Sequence, residues 1–132
     1  MIPTPAEILE RIKGGALLPL ALIGALDHDV ILDVRDGAVD FEAQWTRCYN
    51  SIESRWQEGN LDKDTAATAE AIRREAFLSV SNATSQHEIA SYVSDDFDIM
   101  VRGSILGVND EFLNGLWGAY SRNEIPRADR RK

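Results

Sequence analysis

DFEAQWTRCYNSIESRWQE, residues 40–58, places Phe41, Trp45, Cys48, Tyr49, Ile52 and Trp56 at steps of three and four. On an α-helix these side chains share one face, while Glu42, Arg47, Asn50, Glu53, Ser54 and Glu58 take the other. Each aromatic residue of the stripe can remove about 150–250 Å² from water. The spacing therefore predicts that this helix is the hub of a hydrophobic core. Asp40 is placed to cap its N-terminus by accepting a backbone N–H bond, and Gly59 to take the left-handed conformation that closes a helix.

Outward from this stretch the pattern remains helical. A turn at 58–60 leads to a helix capped by Asp62 or Asp64 and running to about residue 81, with Leu61, Ala69, Ile72, Ala76, Phe77 and Val80 inward. Its outer side carries Glu70, Arg73, Arg74 and Glu75, an ordinary solvated face in which Glu70 and Arg74 form an i, i+4 pair. Ser85-Gln86-His87-Glu88 reads as a capping box. It opens a helix with Ile89, Tyr92, Val93, Phe97, Met100, Val101 and Ile105 inside, Asp95, Asp96 and Asp98 on its outer side, and Gly107 as its stop. A last helix starts at Asn109, buries Phe112, Leu113, Leu116, Trp117 and Tyr120, and cannot pass Pro126. Upstream, Thr4-Pro5-Ala6-Glu7 combines a capping hydroxyl, proline at the first helical position and glutamate three residues after the cap. That helix buries Ile8, Leu9 and Ile12 and ends at Gly14-Gly15.

Residues 16–39 are ambiguous. Leu17, Leu18, Leu20, Leu22, Ile23 and Leu26 show no polar face, and the β-branched run Val30-Ile31-Leu32-Asp33-Val34 fits a strand. A lone strand leaves its backbone groups unpaired, so that reading requires a short hairpin within residues 20–35 or a partner strand across a dimer axis. Two short helical pieces are preferred because every neighbouring element is helical. The expected fold is all-α, an irregular antiparallel bundle of five or six helices. Residues 1–126 are expected to form a single domain and 127–132 a basic flexible tail.

Composition narrows the function. The longest apolar run, 16–26, is interrupted by Pro19 and Gly24 and spans about half of what a transmembrane helix requires. The N-terminal residues carry no basic segment or signal cleavage site, so the expected location is the cytoplasm. Cys48 is the only cysteine and lies on the apolar stripe, where a buried thiol is expected; a disulfide or a cysteine-rich zinc site cannot form within one chain. The two histidines exclude a multi-histidine metal site, and no cofactor is indicated. The net charge is −8; with the +3 of residues 127–132 set apart, acids outnumber bases by eleven in the rest. That balance disfavours nucleic acid, whose phosphates need clustered Lys and Arg, and suits a basic partner.

The densest acidic stretch holds Asp27, Asp29, Asp33, Asp36, Asp40 and Glu42, with His28 and Arg35 among them. Read as an EF-hand from Asp27, it would place Leu32 where glycine is needed and Ala38 where glutamate is needed, so a calcium loop fails. His87-Glu88 lacks the second histidine of a zinc-protease motif, since Ser91 stands in its place. The expected function is a small acidic helical module that binds another protein, an inhibitor or immunity-type partner of a basic protein such as a nuclease. Its contact would be Asp27, Asp29, Asp33, Asp36, Asp40 and Glu42. One alternative is a small enzyme using the acidic cluster at 27–36, with Asp29, Asp33 and His28 as acid/base candidates. The other is a homo-oligomer assembled through the apolar residues 16–34.

Overall fold

The computed structural model describes residues 2–19, 24, 27–36 and 38–126. Among these lie six helices and no strand: α1 (Pro5–Gly14), α2 (His28–Asp36), α3 (Val39–Glu58), α4 (Lys63–Thr84), α5 (His87–Leu106) and α6 (Glu111–Ser121). An all-helical bundle is what the hydrophobic periodicity predicts. The tail at 127–132 and residues 20–23, 25 and 26 lie outside the described residues.

The hairpin alternative fails because its proposed strand is helical. The Asp27 carboxylate accepts the Val30 N–H at 3.2 Å and caps α2, so the chain enters a helix before the β-branched run begins. Ile31 is then 2 % exposed and Arg35, one turn on, is 7 % exposed, whereas Val30 is 42 % exposed. The spacing of the buried positions is helical, and packing overrides the strand preference of valine and isoleucine.

The hub is α5, not α3. On α5, Ile89, Ala90, Val93, Phe97, Ile99, Met100 and Val101 are all fully buried, and the helix packs against α1, α3, α4 and α6. Burial around most of its circumference is the mark of a helix at the centre of its fold. On α3 only Cys48 and Ile52 are buried, while Phe41, Trp45, Tyr49 and Trp56 are partly exposed. The physical reason is size and polarity. Small and β-branched side chains on α5 meet Ala69, Ile72, Ala76 and Val80 of α4 across the most extensive contact between the described helices. The broad aromatics of α3, three of them carrying a polar group that needs a partner, sit at its edge. Gly103 permits one close approach: a Cβ there would stand 2.5 Å from Leu113 Cδ2, so the Leu113 side chain would have to shift.

Helix ends match the sequence in part. Thr4 and Asp62 accept the N–H groups of Glu7 and Thr65, and Gly15 and Gly107 close α1 and α5 in the left-handed conformation. Asp40 does not hold the cap position, because α3 starts at Val39 and its N-cap is Ala38, two residues earlier. Gly59 has φ −77°, and Asn60 takes the positive φ of that turn instead. The expected capping box at 85–88 does not form, since Ser85 closes α4 at φ 57° and Gln86 precedes α5 without a side-chain cap. Asp110, not Asn109, caps α6 through the Leu113 N–H.

Candidate functional site

Asp96 lies on α5 within the run Ser94-Asp95-Asp96-Phe97 and is 0 % exposed, not on the outer side of its helix as the charge pattern suggests. Four hydrogen bonds converge on it. Arg35 donates from Nη1 to Oδ2 at 2.8 Å and from Nη2 to Oδ1 at 3.0 Å; Trp45 Nε1 donates to Oδ1 at 2.9 Å, and the Tyr120 hydroxyl to Oδ2 at 2.6 Å. The residues come from α2, α3 and α6, so one carboxylate ties three helices to the hub. The Arg35 guanidinium lies 5.0 Å from the ring centre of Phe41 and 4.7 Å from that of Tyr92. Burial opposes its charge, but Asp96 more than compensates and its pKa is raised. Burial also pushes the Tyr120 phenol well above its ordinary value, and the adjacent Asp96 carboxylate adds to this. Tyr120 therefore remains a donor.

A second arginine repeats the arrangement further along α5. Arg102 donates from Nη1 to Glu53 Oε1 at 2.6 Å and from Nη2 to Asp98 Oδ2 at 2.9 Å, while its guanidinium lies 5.5 Å from the rings of both Tyr49 and Trp56. Asp98 and Arg102 thus pair four residues apart on one helix, with the arginine buried. Between the two arginines, Trp45 and Tyr49 stack at 5.5 Å with their planes 10° apart. The aromatic row of α3 is thus fixed from beneath, Trp45 by its bond to Asp96 and Tyr49 by Arg102.

Above this row the surface is hollowed. One cavity of about 330 Å³ is lined by Arg35, Phe41, Glu42, Trp45, Thr46, Tyr92 and Asp95. A second of about 440 Å³ is lined by Trp45, Tyr49, Glu70, Arg73, Asp95 and Asp98. Trp45 and Asp95 line both, so the two form one groove between α3 and α5 with α4 at its side. Arg73 reaches Asp95 at 3.3 Å and Glu70 at 3.7 Å. Asp95 is half desolvated, which raises its pKa; Arg73 offsets this only in part, and Asp96 and Asp98 add to the rise. Its ionised form is held at a cost that an incoming cation would relieve. Outside the groove, Arg47 joins α3 to α6 through a two-pronged pair with Asp110 at 3.0 and 3.3 Å.

Of the acidic residues singled out in the sequence, Asp27, Asp29, Asp33, Asp40 and Glu42 are exposed, and the Asp36 side chain lies outside the described atoms. The structure brings only Glu42 into the groove. Asp27 serves as a cap, and Asp29 and Asp33 stand one turn apart on α2. The groove's other carboxylates come from α4 and α5. A signal was present for the buried carboxylate beneath the groove: Asp96 falls three residues after Val93 and four before Met100, on the apolar face, where a carboxylate must meet a buried cation or hydrogen-bond donors. Arg35 stands in the same relation to Ile31.

Among the described residues no three metal-binding side chains converge, and no helix is long and apolar enough to cross a membrane. Burial pushes the Cys48 thiol up to about 11, which leaves it protonated. An all-helical scaffold with a groove of aromatic rings and carboxylates has the composition of surfaces that bind other proteins. The chain belongs to the family described as Immunity protein PIM1, whose model matches residues 7–127. No curated protein and no solved structure matches it. Membership makes the chain an immunity-type module with a protein partner, and favours neither the enzyme nor the homo-oligomer alternative.

Proposed function

We propose that residues 1–126 act in the cytoplasm as one domain that neutralises a basic protein, such as a nuclease toxin, by seating it on the α3–α5 groove. The observation that carries this reading is that Trp45 and Asp95 line both hollows, so aromatic surface and negative charge occur together in one depression. Interface energy concentrates on buried tryptophan, tyrosine and arginine, and rings already locked in place lose little entropy on docking. The exposed carboxylates of Asp27, Asp29, Asp33 and Asp40 extend the negative field beside the groove, and Glu42 belongs to both. Such a field speeds encounter with a positive partner and disfavours nucleic acid.

Co-purification of the tagged protein from its host at low and high salt tests this, with wild type beside an E42Q/D95N variant. A basic protein held at low salt, weakened at high salt and lost with the variant is the expected result. A partner held equally by both proteins would overturn the groove. The reading also takes the module to be monomeric, supported by the burial of Leu17, Leu18 and Ile31 within the chain. Sedimentation at micromolar concentration should give a single 14.7 kDa species; a dimer would instead restore residues 16–34 as a self-association surface.

A further inference from the structure

We infer that the hollow above Arg35 is an anchor site for one arginine side chain of the partner protein. This deepens the groove reading and rests on it. Phe41, Trp45 and Tyr92 wall the cavity, and Glu42, Thr46 and Asp95 give it polar groups. Its volume of about 330 Å³ accommodates a long side chain.

Arg35 itself does not make the hollow a site for anions. Both of its terminal nitrogens are spent on Asp96, and that bidentate pair cancels its charge. What remains unbalanced is Glu42 and Asp95, the latter sharing Arg73 with Glu70 through longer contacts. The charge left over calls for a cation, and the walls call for one that stacks. A guanidinium is planar, weakly hydrated and able to fork onto a carboxylate while lying on a ring. An ammonium would have to shed a tighter hydration shell to enter. The chain already uses this environment twice for its own arginines: Arg35 between Phe41 and Tyr92 on Asp96, and Arg102 over Tyr49 and Trp56 on Glu53 and Asp98. The hollow offers a third instance with its arginine missing, open to solvent on the face that the groove presents.

The test is a titration with acetyl-arginine-amide, followed by NMR at the Trp45 indole N–H, with acetyl-lysine-amide and the uncharged acetyl-citrulline-amide alongside. The arginine derivative should shift the Trp45 signal saturably at millimolar concentration, leaving Trp117 unmoved. Citrulline and lysine derivatives should bind more weakly, by about fivefold or more. The variants E42Q and D95N should each weaken arginine binding by a similar factor while the protein stays folded, as its helical circular dichroism reports. Equal binding of citrulline or lysine, shifts spread over all three tryptophans, or indifference to both substitutions would overturn the anchor. The two readings fail separately. A partner held through the groove with no arginine-amide shift removes the anchor alone, and arginine-amide binding with no partner removes the proposed partner alone.

Discussion

Asp96 occupies a position where an apolar side chain would pack, and its four hydrogen bonds are what make the site tolerable. Removing one member of a buried ion pair leaves the other charged and unsolvated, which costs about 3–5 kcal/mol. D96A should therefore lower the unfolding free energy by that amount in urea titrations; a loss below about 1 kcal/mol would mean that Arg35 escapes to water. Y120F removes a hydrogen bond to a charged group and should cost about 1.5–3 kcal/mol. Cys48 is 1 % exposed, with its thiol pushed up to about 11. Its reaction with a disulfide reagent at pH 8 should be slow and track global unfolding. Rapid labelling of the native protein would contradict the burial.

At the scale of the helix, the elements were legible in the sequence and their ranking was not. Periodicity and the caps at Thr4, Asp62, Gly15 and Gly107 locate helices because they depend on neighbours in the chain. Which helix becomes the hub depends on how side chains of different size meet across the fold. The aromatic stripe of α3 promised the most buried area, yet the flatter aliphatic surface of α5 won the centre, and that displacement is what leaves Trp45 and Tyr49 available to a groove. The groove itself was scarcely legible, since only Glu42 among the acidic candidates belongs to it and Asp95 and Asp98 come from a distant element.

Asp110 offers a test at the same scale. Burial alone would raise its carboxyl pKa, but the hydrogen bonds from Arg47 and the Leu113 N–H prevail and lower it. Its contribution is thus complete above the unfolded carboxyl value of about 3.9 and is lost as the pH falls through the lower folded value. D110A should cost about 1 kcal/mol at pH 7 through the lost α6 cap. Its stability should also fall less steeply than wild type between pH 4 and the folded value. An acid limb as steep as that of wild type would show that other carboxylates set it.

For the molecule as a whole, the proposal assigns separate parts of recognition to the net charge of −8 and to the groove. On the proposed function, the distributed charge would govern how fast a basic partner arrives, and the groove how long it stays. Substitutions at the exposed Asp29 and Asp33 should therefore slow association and reduce its salt dependence, while E42Q and D95N should speed dissociation; stopped-flow mixing with the captured partner separates the two. The most direct measurement is amide hydrogen exchange of the complex against the free protein. The account predicts new protection concentrated on α3 around residues 42–49 and on the first half of α5, with α1 unchanged. Protection confined to α1 and the C-terminal half of α4, with the groove still exchanging as in the free protein, would contradict it.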